Sequence, residues 1–143
     1  MKVTVDANVL FSALIKKGKT RKIWFGPEIE LFSPKYLLIE FQKYAGFLRR
    51  KFKGTEEEFT TISKKLLLQI NFVSDQELKP FLPAVIFLID DPKDWLYLAC
   101  ALKEDTIIWS NDKGFKKQEK VCNQQNRIHK KVFGNKIKII EIN

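Results

Sequence analysis

The chain has 143 residues, 45% hydrophobic, which is enough for one domain to bury roughly 70% of its unfolded surface without disulfides or structural zinc. Two cysteines exclude a disulfide framework, and no run approaches the roughly 20 apolar residues of a membrane-spanning helix. The 26 Lys and Arg outweigh the 17 Asp and Glu to give +9, which fits either a polyanionic partner or a solubilising surface.

Val3-Thr4-Val5 reads as a short β-branched strand ending at Asp6. Ala7 to Ile15 follows as a helix, capped by Asp6 or Asn8 and closed by Gly18. After a basic stretch, Glu30 to Phe32 is a second short strand. Ser33-Pro34 then starts a helix, with Ser33 at the cap and Pro34 in the first turn. Leu37, Leu38, Phe41, Tyr44, Ala45 and Leu48 give that helix its amphipathic spacing. Thr55-Glu56-Glu57-Glu58 has the form of a capping box, and Phe59, Ile62, Leu66 and Ile70 continue the stripe of the helix it opens.

Asn71-Phe72-Val73 is a third strand, and Lys79 to Ile89 reads as a connector broken by prolines. Asp91-Pro92-Lys93-Asp94 begins a helix over Trp95 to Lys103, apolar on all sides and therefore buried. Thr106 to Ser110 is a strand apolar on both faces, and the last strand is Ile137 to Ile142. Strands alternating with helices imply a three-layer α/β/α fold around a central parallel sheet of about five strands. Residues 1–143 are expected to form a single domain.

The basic residues are clumped. Lys16, Lys17, Lys19, Arg21 and Lys22 fall within seven positions, and from Lys113 to Lys138 nine basic residues accompany one acid, Glu119. Lys16, Lys17, Lys19, Arg21, Lys113, Lys116 and Lys117 are candidate RNA-binding residues, with a solvated surface as the plainer alternative. Cys100 lies in an apolar run and reads as a buried, reduced thiol. With no secretory pattern at the N-terminus, the expected location is the cytoplasm.

Asp6 and Asp112 follow the ends of expected strands, where sites form in parallel sheets. Glu40 sits mid-helix at the margin of an apolar stripe, and Asp94 lies in the first turn of a buried helix. Each has an ordinary reading as well: Asp6 and Asp112 as caps, Asp94 as partner of Asp91 in a capping box, Glu40 as a surface-edge residue. Asn8 and Ser110 are common near strand-to-helix turns. Gathered in one cleft, the four acids would repel, by about 4 kcal/mol per pair at ~4 Å and an effective dielectric of 20, so the cluster calls for a cation. Oxygen ligands select Mg²⁺, Mn²⁺ or Ca²⁺ over zinc, and the sole histidine, His129, has no second ligand at zinc spacing and reads as a surface residue. Setting the four acids aside leaves 26 basic against 13 acidic side chains, a surplus of +13 suited to holding phosphates around a small acidic site.

Four segments together resemble the PIN-domain family. V-T-V-D-A-N-V-L-F-S-A-L (3–14) is similar to its first motif, strand-Asp-x-Asn. S-P-K-Y-L-L-I-E-F (33–41) resembles the second, with Glu40 as its acid. D-D-P-K-D-W-L-Y-L-A-C-A-L (90–102) resembles the third, matching Asp94 with Asp91 as the accompanying acid. T-I-I-W-S-N-D-K-G-F (106–115) is similar to the last, placing the fourth acid at Asp112 and a supporting hydroxyl at Ser110. The D-P-x-D form looks most like the toxin branch of VapBC-like toxin–antitoxin systems. The resemblance implies a Mg²⁺- or Mn²⁺-dependent endoribonuclease, commonly a homodimer and often silenced by a small antitoxin protein. In it Asp6, Asp94 and Asp112 hold metal, Glu40 orients water, and Asn8 and Ser110 support the carboxylates; the products carry 5′-phosphate and 3′-hydroxyl ends. One departure is a basic insertion, around residues 116–135, where members of the family close quickly.

The alternative is a PIN fold without catalysis, kept to bind RNA or protein. A phosphatase of the haloacid dehalogenase type also begins strand-Asp, but it needs a second Asp where this chain has Asn8. A flap-nuclease-like DNA enzyme would need a longer chain and more acids.

Overall fold

The computed structural model describes residues 1–110 and 138–140. Asp112, Lys113, Lys116, Lys117, Cys122, His129 and the basic insertion lie outside the described residues. The first strand, β1 (Lys2–Val5), leads into α1 (Ala7–Ile15) and α2 (Lys19–Trp24). Then come β2 (Glu30–Pro34), α3 (Tyr36–Lys51), α4 (Glu56–Leu68) and β3 (Ile70–Val73). Short helices α5 (Asp75–Leu78) and α6 (Leu82–Val85) flank a 3₁₀ turn, and α7 (Pro92–Glu104) precedes β4 (Ile107–Trp109) and β5 (Lys138–Ile140).

All the strand pairings are parallel, in the order β3-β2-β1-β4, with β5 on the outer side of β4. The chain thus builds outward from β1 to β3 and then crosses back to place β4 on the other side of β1. That reversal opens a crevice at the carboxyl ends of β1 and β4, the place where parallel sheets bind ligands.

Side chains alternate across the sheet. Thr4 faces α7, where its hydroxyl meets those of Thr106 and the thiol of Cys100. Val5 and its register partner Trp109 face the opposite side, where Trp109 packs against Trp24, ring centroids 6.2 Å apart. The Trp24 indole donates to the Leu66 carbonyl at 3.0 Å, which ties α2 to α4. The expected buried helix is found at α7, whose Tyr97, Leu98, Ala99, Cys100 and Ala101 are buried and which packs over β1, β2 and β4. Burial pushes the Cys100 thiol up to about 12, which leaves it protonated and inert.

Several local expectations need correction. Ser33 and Pro34 belong to β2 rather than to a helix start: Ser33 pairs in register with Phe72, and its hydroxyl donates to the Val5 carbonyl at 3.1 Å. Pro34 ends the strand, and α3 begins at Tyr36 without a side-chain cap. Ile70 does not continue the α4 stripe; it opens β3, opposite Leu31. The basic stretch after Gly18 forms α2, held by buried Trp24 and by Arg21, whose guanidinium donates to the carbonyls of Ala13 and Leu14 at the end of α1. The segment read as a broken connector contains α6, and just before it Ser74 and Glu77 form a capping box on α5.

Leu66 and Leu68 lie on one helix with opposite fates, 0% and 81% exposed. Leu66→Ala should therefore cost about 2–5 kcal/mol through lost burial and cavity formation. Leu68→Ala should stay within about 0.5 kcal/mol. Urea denaturation of the two variants beside the parent protein measures both.

Candidate active site at the carboxyl ends of β1 and β4

Asp6 is the first residue beyond β1. Its backbone N–H donates to the Trp109 carbonyl at 3.1 Å, extending the β1–β4 ladder by one step, and its own carbonyl accepts from Val9 and Leu10 to start α1. It thus occupies the cap position of α1, yet its side chain makes no capping hydrogen bond. Instead Oδ2 accepts from the Ser110 hydroxyl at 2.7 Å, across 104 residues of sequence. Both side chains are nearly closed to solvent, Asp6 at 5% and Ser110 at 2% exposed. Asn8, two residues on, is exposed at the mouth.

Glu40 arrives from the middle of α3. Its Oε1 accepts a 2.6 Å hydrogen bond from the Tyr97 hydroxyl, on the central turn of α7. Partial burial raises the Glu40 carboxyl above the usual carboxylate range; the Tyr97 hydrogen bond and nearby Lys93 and Lys43 oppose that rise, and Asp91 adds to it. Burial, with Glu40 beside it, pushes the Tyr97 phenol far above its ordinary range, so it remains a donor at any ordinary pH.

The N-terminal turn of α7 brings Asp91, Lys93 and Asp94. Asp91 caps the helix, accepting from the Lys93 N–H at 3.1 Å. The positive end of the helix dipole favours carboxylates here.

Asp6, Glu40, Asp91 and Asp94 line one cleft of about 360 Å³, with Asn8 at its mouth and Lys93 as the one lining cation among the described residues. Among the described residues its lining holds four carboxylates against a single ammonium, inside a chain of net charge +9. Among the described residues, no three His, Cys, Asp or Glu stand close enough together to hold a metal ion. Asp112 lies outside the described residues, two positions beyond Ser110. The described acids lining the cleft offer oxygen ligands, the chemistry that suits a hard divalent cation such as Mg²⁺ or Mn²⁺.

Of the expected RNA-binding side chains, Lys16, Lys17 and Lys19 are exposed around the turn between α1 and α2. Arg21 instead spends its donors on the end of α1. Tyr97, Lys93 and the aromatic wall formed by Phe11, Tyr44 and Phe47 were not anticipated from sequence. For Tyr97 the available signal was its helical spacing of three from Asp94, which puts both on neighbouring faces of α7.

The acids thus gather where the strand order reverses, the place at which parallel α/β sheets bind ligands. Matched to families of known proteins, residues 4–132 fit the PIN domain, and the chain belongs to that family, whose members are generally nucleases. Among solved structures it is similar in fold to VapBC2 from Rickettsia felis, determined bound to a DNA fragment from its promoter. The likeness has a TM-score of 0.62 and 12% identity, covering 99% of this chain and 98% of that one, and it speaks for the fold alone. No curated protein matches the chain.

Tyr97→Phe removes a hydrogen bond that favours ionised Glu40, so the Glu40 carboxyl should titrate at a higher pH than in the parent protein. A carboxyl-detected NMR titration measures the direction. An unchanged or lower value would mean that the hydrogen bond does not stabilise the carboxylate.

Proposed function

We propose that this protein is a Mg²⁺- or Mn²⁺-dependent endoribonuclease, acting as the toxin of a toxin–antitoxin pair. The observation that carries this reading is the convergence of Asp6, Glu40 and Asp94, from three distant parts of the chain, on one cleft at the carboxyl end of the sheet. Asp112 is taken to complete the set from beyond β4.

On this reading Asp6, Asp94 and Asp112 hold the divalent ion. The ion, when bound, acts as a Lewis acid toward the scissile phosphate and lowers the pKa of water. Asp6 is the central ligand because β1 and β4 fix its backbone and Ser110 fixes its carboxylate, which leaves little rotational freedom to lose. Glu40, held by Tyr97, orients the attacking water for in-line hydrolysis. Its proton affinity, raised by burial, suits it to accept a proton from that water. Asn8 orients the carboxylates from the mouth, and Asp91 sets the start of α7 so that Asp94 faces inward. The products carry 5′-phosphate and 3′-hydroxyl ends.

The basic surface supports a polyanionic substrate: Lys16, Lys17 and Lys19 near the cleft, with Lys113, Lys116 and Lys117 of the C-terminal segment, hold neighbouring phosphates. The family and the fold shared with VapBC2 of Rickettsia felis favour a small antitoxin as partner, and the reading includes a homodimer working in the cytoplasm.

Asp6→Asn removes the charge of the central ligand but keeps its shape. Cleavage of mixed-sequence RNA in Mn²⁺ should fall to background, while circular dichroism and RNA affinity stay close to those of the parent. Ser110→Ala, which removes the hydroxyl that supports Asp6, should cost about 10- to 100-fold in activity. Asp6→Asn cutting at the parent rate would end the metal mechanism. Absence of any EDTA-sensitive cleavage by the parent protein would leave a PIN fold that binds RNA or protein without catalysis.

A further inference from the structure

A second cleft, of about 600 Å³, lies beside the carboxylate cleft and shares Asn8, Phe11 and Phe47 with it. Its chemistry is different. The carboxylate cleft gathers four acids, whereas no acid among the described residues lines this one. Lys16, Lys19 and Thr20 contribute from the turn between α1 and α2, and Ile15 and Leu48 add apolar surface. Its volume falls within the range of about 300–1,000 Å³ that small ligands occupy.

The shared wall is aromatic and open to solvent. Phe47 is 49% exposed and Tyr44, facing the carboxylate cleft, is 39% exposed. Phe11 braces Tyr44 edge-on, centroids 5.6 Å apart. Lys51 Nζ stands over the Phe47 ring, 5.7 Å from its centroid. Exposed aromatic rings cost free energy in water unless a partner covers them, and flat rings beside ammonium groups match one ligand well. A nucleotide brings a π-face for the ring and a phosphate for the lysines.

We propose that this second cleft binds the nucleotide next to the scissile phosphate of a single-stranded RNA, with the base stacked on Phe47 and its phosphate held by Lys16 and Lys19. The inference rests on the reading that the adjoining carboxylate cleft handles a phosphodiester. It adds a substrate preference: the RNA must be unpaired at that nucleotide, because a base inside a duplex cannot offer its face to Phe47. A second copy of this +9 chain would bring like charge against the lysines. An acidic helix could pair with them, and in that case Phe47→Ala would leave single-strand RNA affinity unchanged.

The test measures fluorescence anisotropy of a short, labelled single-stranded RNA in EDTA, where no cutting occurs, against parent protein and three variants. Phe47→Ala should weaken binding by roughly 5- to 150-fold, the span produced by losing one base stack, and Phe47→Trp should restore it. Affinity for a fully paired RNA of equal length should be the same for Phe47→Ala and parent. Lys16→Ala combined with Lys19→Ala should flatten the salt dependence of single-strand binding by about 0.7 in log–log slope for each phosphate no longer neutralised. Unchanged single-strand affinity in Phe47→Ala would overturn the proposal while leaving the metal mechanism, read separately by Asp6→Asn cleavage, intact. An equal loss for paired and unpaired RNA would also overturn it. So would a change confined to self-association in sedimentation, which would make the cleft a surface between copies of the chain. If Phe47→Ala loses affinity as expected but the parent never cleaves, the nucleotide subsite stands and the nuclease reading falls.

Discussion

The pairing of β1 with β4 is the constraint on which the rest of the site depends. One hydrogen bond beyond the last paired residues, from the Asp6 N–H to the Trp109 carbonyl, fixes where the chain leaves the sheet. A second bond, from Ser110 to the Asp6 carboxylate, then joins the two strand ends side chain to side chain. Beneath them the Thr4 and Thr106 hydroxyls bond to each other, with Cys100 alongside, so the sheet face under the cleft is satisfied by its own polar groups. On the opposite face Val5, Trp109 and Trp24 form an apolar support. The Trp109 indole N–H is fully buried and has no hydrogen-bond partner among the described residues, a local cost that the packing around it must offset.

From that anchored point the site gathers charge from distant sequence. A nearly buried carboxylate in a cleft with three others is unfavourable unless something compensates. The described groups supply part of the answer: Ser110 at Asp6, Tyr97 at Glu40, and the start of α7 at Asp91 and Asp94. The surplus of negative charge is local, because the same chain is strongly cationic overall. A polyanion approaching such a surface is drawn by the lysines and meets repulsion only at the cleft, where a divalent ion would reverse the sign. That separation of signs fits hydrolysis of a phosphodiester better than tight binding of one.

Much of this was legible in the sequence because it follows from short-range rules. Val3-Thr4-Val5 before Asp6 announces a strand end with an acid beyond it, and the alternation of strands and helices implies a parallel sheet. The position of Glu40 on the apolar margin of α3 already set it half inward. What escaped depended on long-range contacts. Ser33-Pro34 carries the local signature of a helix start, but pairing with β3 keeps it extended. Ile70 fits the helical period of α4 and equally the first position of β3, and the sheet decides. The basic run that became α2 has no strong helix signal; Trp24, buried against Leu66 and Trp109, holds it in place. Tyr97 looks like core on an apolar helix, and its hydroxyl gains a role only because α3 delivers Glu40 57 residues earlier in the chain.

The central claim is that carboxylates far apart in sequence surround one hard divalent ion, and a crystal soaked in Mn²⁺ tests it most directly. Anomalous scattering should give a peak in the cleft, about 2.1 Å from oxygens of Asp6, Asp94 and Asp112, with Glu40 close by. A manganese peak elsewhere, or Asp112 turned away from a cleft that stays empty at high Mn²⁺, would contradict it.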